Sequence, residues 1–329
     1  MTRPALSVAM SVYNGQSHLA LAIESILAQS FADFEFLILN DGSTDASRDI
    51  IDGYAVKDTR IRAIHRENKG LVVSLNQLVD EARAPLIARM DADDICLAER
   101  FEKQMAFLTA HPDHGVLGTW TADIDEHGEP YPIKGADHPT SHEAFIASIG
   151  KGPMLCHPSV IMRRELVQSV GGYHQAFKHC EDFDLWLRLA TKTKMCSLPE
   201  RLVHYRHWTN QVSNRHAYVQ QVGAAVSLLA YRERIAGRPD PTETLAELPP
   251  LDNLDALFGR EGVGKEVRAH VAPTMLYAEA ALKGNGYQLL VDFIKEGGKT
   301  PGLWRTAARL IRIGEPSRAV ALAVTLATS

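Results

Sequence analysis

The 329-residue chain is poor in cysteine and has no long apolar run. Its four cysteines, Cys96, Cys156, Cys180 and Cys196, form no C-x-x-C pair. This excludes a disulfide scaffold and the common thiolate zinc sites, and predicts four reduced thiols. No segment approaches the ~20 consecutive apolar residues needed to span a bilayer. The stretch from Met1 to Ser11 lacks a basic flank followed by an apolar core, so no export signal is expected and the expected location is cytoplasmic. Positive charge is not in excess: 35 Lys and Arg stand against 40 Asp and Glu, a net −5. A whole-chain nucleic-acid binder usually carries the opposite sign, so no nucleic-acid partner is expected. Two phosphate-binding patterns are also missing. After the first strand Gly15 stands alone, without G-x-G-x-x-G, which disfavours a dinucleotide-dependent dehydrogenase. The run Gly259 to Lys265 copies the start of a P-loop, but Glu266 stands where Ser or Thr is required. The preceding Asn253–Phe258 also reads as helix rather than strand.

What remains is an ordinary globular composition, 45% apolar and 23% charged, in a chain long enough for one large or two ordinary domains. Over the first 95 residues strand-like and helix-like patterns alternate. Leu6–Ser11, Phe34–Leu39, Arg60–His65 and Leu86–Met90 read as strands. Between them Leu19, Ile23, Ile26 and Leu27, then Ile50, Ile51 and Tyr54, then Leu71, Leu75, Leu78 and Val79 mark helical faces. Regular alternation of this kind predicts a mostly parallel sheet flanked by helices. Beyond residue 95 the pattern is mixed. Helix is expected around Phe101–Leu108 and Asp184–Leu189, and strands at Val116–Trp120, Ser159–Arg163, Lys194–Leu198 and Leu202–Arg206. From residue 215 onward the chain reads as helical, with a breaker-rich linker at Pro239–Pro250. Residues 215–329 hold 14 basic and 12 acidic side chains, so the acidity belongs to the first 214 residues.

In an open parallel sheet all C-terminal strand ends share one edge, and ligands bind there. The four predicted strands end at Ser11 to Gly15, Asn40 to Ser43, Arg66 to Gly70 and Asp91 to Asp94. Three carboxylates in four residues, Asp91, Asp93 and Asp94, repel one another unless water or a cation screens them. Oxygen-only ligands suit Mg²⁺ or Mn²⁺, which can hold substrate phosphates in their open positions. An acidic turn capping the next helix is the plainer reading of the same residues. Asp41 suits either a turn or an acceptor for a nucleobase or ribose, and Tyr13 can pack against a base.

Taken together these segments resemble the family-2 glycosyltransferases. The carriers are Ser7 to Gly15, Ser25 to Gln29, Phe34-Glu35, Asn40 to Asp45, Asp91 to Asp94, His157 to Ser159, Gly171 to Tyr173 and Glu181 to Arg188, in that order over roughly residues 5–214. The resemblance implies a GT-A type, Rossmann-like α/β fold with a mainly helical C-terminal extension. It implies a catalytic domain 1–214, with a nucleotide half 1–95 and an acceptor half 96–214, and a helical region 215–329. The implied activity is inverting, metal-dependent transfer of a sugar from a nucleotide-sugar donor, UDP-sugar favoured, to a hydroxyl of a glycan or lipid-linked glycan. The implied setting is surface polysaccharide assembly. Asp182 falls at the catalytic base, with Glu181 supporting it. Asp93 and Asp91 fall at the Mn²⁺ or Mg²⁺ ligands, with His207 or His204 as a third. Ser11, Tyr13, Asn14, Asp41, Asn68, Lys69, Asp91, Ala92 and Arg206 fall around the donor. The chain departs from the pattern in two places. Asn40 replaces the first of two acids, and in Tyr205 to Ser213 Trp208 fills the usual His slot. A nucleotidyltransferase and a non-catalytic nucleotide- or sugar-binding protein remain as alternatives. The stripe Arg305, Arg309 and Arg312 suits a solvated face, and also a peripheral contact at the inner membrane surface or a homo-oligomer contact.

Overall fold

The computed structural model describes residues 3–132, 135–151, 154–208 and 216–329. Two compact units emerge, Met1–His174 with Leu185–Trp208, and Gln175–Asp184 with Thr209–Ser329. Ser213 and the expected boundary at 214 lie outside the described residues.

The first unit is built on an eight-stranded sheet. Its strands are β1 (Leu6–Val12), β2 (Phe34–Asp41), β3 (Ile61–Arg66), β4 (Leu86–Met90), β5 (Ile95–Cys96), β6 (His114–Ile124), β7 (Ile161–Arg163) and β8 (Lys194–Arg206). The order is β3-β2-β1-β4-β7-β6-β8-β5. Strands β3, β2, β1 and β4 run parallel, and β7 enters antiparallel to both β4 and β6. Helices α1 (Leu19–Leu27), α2 (Ser47–Ala55) and α3 (Leu71–Glu81) connect the parallel strands, and α4 (Arg100–Ala110), α5 (His142–Ser148), α6 (Arg164–Ser169) and α7 (Glu181–Leu189) follow later in the chain. The sheet grows one way from β1 through β2 and the other way through β4. That reversal opens a crevice beyond their carboxyl ends.

Alternation explains the packing. Leu6, Val8, Met10 and Val12 of β1 share a face with Phe34, Phe36 and Ile38 of β2, and meet Leu19, Ile23 and Ile26 of α1 in one core. Leu37 and Leu39, on the opposite face of β2, are buried as well. A strand buried on both faces reads as a continuous apolar run, which is why Phe34–Leu39 was so plain in the sequence. Glu35, near the start of β2, is held by the Ser7 hydroxyl at 2.7 Å, the Arg83 N–H at 2.6 Å and Arg62 at 2.8 Å. Burial works against its charge, yet these donors hold its pKa below the ordinary carboxylate value. It ties the amino end of the sheet, opposite the crevice.

Two expected strands, Lys194–Leu198 and Leu202–Arg206, are a single β8. Pairing with β6 jumps from Thr119↔Leu198 to Trp120↔Arg201 and then to Thr121↔Val203. Pro199 has no N–H to donate, and the ladder passes it through an irregularity rather than ending.

The second unit is helical in its described residues. Its longer helices are α8 (Ala217–Ile235), α10 (Val263–Met275), α12 (Asn285–Lys295), α13 (Leu303–Arg312) and α14 (Pro316–Thr328), with short α9 (Leu254–Phe258) and α11 (Glu279–Lys283) between them. Val226, Leu229, Val267, Val271, Met275 and Leu290 form the centre of its core. The linker Pro239–Pro250 holds neither helix nor strand. All four cysteines are free thiols.

Candidate active site

The loops at the carboxyl edge are stitched to one another. Asn14 takes a left-handed backbone, φ 52°, which Asn tolerates better than most residues. There its Oδ1 accepts from the Thr44 N–H at 2.8 Å, while its own N–H donates to Ser43 Oγ at 2.9 Å. The loop after β1 thus holds the loop after β2. A Cβ on Gly15 would stand 3.7 Å from the Ala92 Cβ, so the loops after β1 and β4 also touch. Ser11 is half-buried at the end of β1, and Tyr13 is 57% exposed beside it.

Asp41 binds the loop after β3. Its Oδ1 accepts from Arg66 Nε at 2.9 Å and from the Lys69 N–H at 3.0 Å, and its Oδ2 from the Gly70 N–H at 2.8 Å. Asn68 Nδ2 donates to the Asp41 carbonyl at 2.9 Å. At 2% exposure, Asp41 serves the protein's own backbone first. A carboxylate has about four acceptor sites, so a base contact would be made alongside these bonds. Asn68 and Lys69, which Asp41 positions, are exposed.

The acidic turn after β4 is the most charged point of this edge. One carboxylate oxygen from each of Asp91, Asp93 and Asp94 lies within 4.8 Å of the others. Arg89, inside β4 and two residues before Asp91, forms an ion pair with it. Burial opposes the Arg89 charge, but Asp91 raises its pKa above the ordinary guanidinium value. Asp93 is pushed up to about 6, by burial first and then by the charge of Asp91. Asp94 is raised well above its ordinary value by burial, then by Asp93 and Asp91. Asp94 Oδ2 is buried without a hydrogen-bond partner. Three crowded carboxylates with a buried acceptor that meets no donor form an all-oxygen group whose chemistry fits a hard divalent cation such as Mg²⁺ or Mn²⁺.

Arg206 stands beneath this turn, not on the open side where a diphosphate contact was expected. It is 2% exposed. Its Nε donates to the Asp93 carbonyl at 2.8 Å, its Nη1 to the carbonyls of Asp125 and Glu126 at 2.9 and 3.2 Å, and its N–H to Asp94 Oδ1 at 2.8 Å. His207 stacks on Tyr131 with ring centroids 4.3 Å apart, and its Nε2 is 3.5 Å from Asp123. Asp123 is thus the carboxylate His207 meets, and His207 does not join the acidic group. Among the described residues of this segment Trp208 reaches the group, its indole N–H donating to Asp93 Oδ2 at 3.0 Å.

Sequence reasoning missed Arg89 and Trp208. Arg89 carried a signal, since a charge inside a buried strand and two residues from an acid shares that acid's face. Trp208 was noticed only as a departure from a pattern.

Glu181 and Asp182 open helix α7 (Glu181–Leu189), on the segment that belongs to the second unit. Asp182 is partly exposed, and its Oδ1 accepts from the Phe183 N–H at 2.8 Å. Asp184 is buried and takes the Ser227 hydroxyl at 3.1 Å, tying α7 to α8. His157 is buried, with Nε2 2.8 Å from the Tyr173 hydroxyl, and Trp186 is a core residue.

The model for glycosyl transferase family 2 matches residues 7–171. The chain belongs to glycosyltransferase family 2. It is similar to EpsE of Bacillus subtilis (strain 168), 38% identical over 190 residues that make up 56% of this chain and 66% of EpsE. It is also similar to the O-antigen biosynthesis glycosyltransferase WbnJ of Escherichia coli, 31% identical over 205 residues, 61% of this chain and 79% of WbnJ. Among solved structures, S. aureus TarS 1-349 in complex with UDP superposes with a TM-score of 0.56 at 18% identity, covering 96% of this chain and 87% of that one. That likeness bears on the fold: a mixed α/β sheet flanked by helices with a helical C-terminal part, as the resemblance implied. Among the described residues no helix is long and apolar enough to cross a membrane.

Proposed function

We propose that this family-2 glycosyltransferase moves a sugar from a nucleoside-diphosphate donor, UDP-sugar favoured, to a hydroxyl of a glycan or lipid-linked glycan in surface polysaccharide assembly, with inversion and with a divalent cation. The observation that carries the reading is the grouping of Asp91, Asp93 and Asp94 at the end of β4, on the edge where the loops after β1, β2 and β3 converge. The family supports sugar transfer, the WbnJ likeness supports the polysaccharide setting, and the UDP in the TarS complex supports the choice of nucleotide.

Ser11, Tyr13, Asn14, Asn68 and Lys69 contact the nucleotide, with Tyr13 against the base and Asp41 holding the Asn68–Gly70 turn in place. Asp93 and Asp91 hold the cation, Mn²⁺ or Mg²⁺, which when bound supplies positive charge against the leaving diphosphate. The acceptor oxygen attacks the anomeric carbon as the bond from that carbon to the phosphate oxygen breaks, its electron pair leaving with the diphosphate. A hydroxyl is a weak nucleophile near neutral pH, so its proton must go to a positioned base. Asp182 takes that proton and Glu181 supports it. One displacement on the face opposite the leaving group inverts the anomeric centre.

Thermal denaturation in the presence of UDP, GDP, dTDP or CMP, each with and without Mn²⁺, tests the donor site. Stabilisation by a diphosphate that depends on Mn²⁺ is expected. No response to any nucleoside diphosphate at any Mn²⁺ concentration refutes it.

A further inference from the structure

Both the side chain and the main chain of Asp93 are held from outside the acidic turn. Oδ2 receives the Trp208 indole N–H at 3.0 Å, and the Asp93 backbone carbonyl is separately fixed by Arg206 Nε at 2.8 Å. Main chain and side chain are therefore each pinned by a different residue of one segment at the end of β8. An indole is a donor only and has no lone pair to offer a cation, so Trp208 cannot itself be a ligand. What it can do is fix the rotation of the Asp93 carboxylate. The ring is held in turn by an edge contact with His18, with centroids 6.3 Å apart.

Resting on the reading of the acidic turn as a cation site, we propose that Trp208 is a positioning residue whose indole N–H, held on Oδ2 of Asp93, fixes the orientation in which that carboxylate meets the cation. Outer partners of this kind fix the orientation of a ligand before the ion arrives, and their removal typically costs about 10–100-fold in metal affinity. The ligand set stays all-oxygen, which suits Mg²⁺ and Mn²⁺ over nitrogen-seeking ions.

The test is Mn²⁺ binding to the full chain, read from the electron paramagnetic resonance signal of free Mn²⁺, with circular dichroism confirming that each variant is folded at the temperature used. Trp208→Phe keeps an aromatic ring and loses the N–H, and is expected to raise the Mn²⁺ Kd about tenfold. Trp208→His carries a ring N–H on a smaller ring, and is expected to bind Mn²⁺ more tightly than Trp208→Phe. The proposal is overturned if Trp208→Phe binds Mn²⁺ like the unaltered chain, or if both variants weaken equally, which would make ring packing rather than the N–H the cause. If the unaltered chain binds no Mn²⁺, the acidic turn is not a cation site and the proposal falls with it. A chain that binds Mn²⁺ with unaltered affinity in Trp208→Phe leaves the site standing and removes only the role of Trp208.

Discussion

Arg206 and Asp94, 112 residues apart in the chain, are joined by a 2.8 Å hydrogen bond from the Arg206 N–H to Asp94 Oδ1 while the Arg206 guanidinium grips the carbonyl of Asp93. The end of β8 is thereby the floor of the acidic turn. Arg206→Ala would leave the carbonyls of Asp93, Asp125 and Glu126 without their buried charged donor. A loss of about 3 kcal/mol is expected in urea denaturation. Mn²⁺ binding should weaken in the same variant, because the turn it supports is no longer held. A loss below about 1 kcal/mol would mean that the guanidinium is not needed to hold the turn.

Gly42 has φ +75°, and a Cβ there would lie 2.5 Å from the Asn68 backbone nitrogen. Gly42→Ala therefore meets both a strained backbone and a steric clash with the turn that Asp41 organises. Destabilisation of about 2 kcal/mol is expected in the same denaturation experiment, together with weaker nucleotide binding by calorimetry. An unchanged unfolding midpoint would show that the two loops separate without cost.

The carboxyl of Asp93, pushed up to about 6 from 3.8, keeps its proton in the folded chain at pH values where the unfolded chain has released it. Between roughly pH 4 and 6 the folded state binds more protons, so this group's contribution to stability declines as pH rises through that window. A cation must displace the proton. Mn²⁺ affinity should therefore fall below about pH 6, by about tenfold per pH unit for one proton displaced. Melting temperatures with and without Mn²⁺ from pH 5 to 7.5 check this, and the increment due to Mn²⁺ should grow with pH. A constant increment contradicts it.

Asp182 is assigned the acceptor proton. Asp182→Asn keeps the size of the side chain and removes its basicity, so kcat should fall by about 10²–10⁴ while donor Kd stays unchanged. Steady-state kinetics with a separately measured donor affinity distinguish this from a binding defect. A variant that retains kcat returns Asp182 to the role of a helix-opening acid.

The parallel half of the sheet was legible because strands buried on both faces leave continuous apolar runs. Leu86–Met90 was read with the bounds that β4 has, and Phe34–Leu39 falls two residues short of the end of β2. The missing residues, Asn40 and Asp41, are polar and still in the ladder, since ligand-edge residues are taken from strand ends. Pro199 made β8 look like two strands because proline normally ends a ladder, and an irregularity within a strand is invisible to local pattern. The acidic turn was legible for a simple reason: three carboxylates in four residues are costly unless something screens them. Its supports were not. Arg206 and Trp208 come from more than 110 positions away and touch Asp93 and Asp94 through pairing of β8 with β5, at Ile95↔His204, which has no local signature. For the same reason Arg206 was read as a cation facing substrate, when burial and four bonds to the turn and to the Asp125–Glu126 carbonyls make it a strut.

A divalent cation at the turn after β4 is the central element of the proposed function. Crystals grown with Mn²⁺ and UDP, with diffraction measured above the manganese absorption edge, test this directly. The predicted result is an anomalous peak within coordination distance of Asp93. A structure with UDP bound and no manganese beside Asp93 would contradict it.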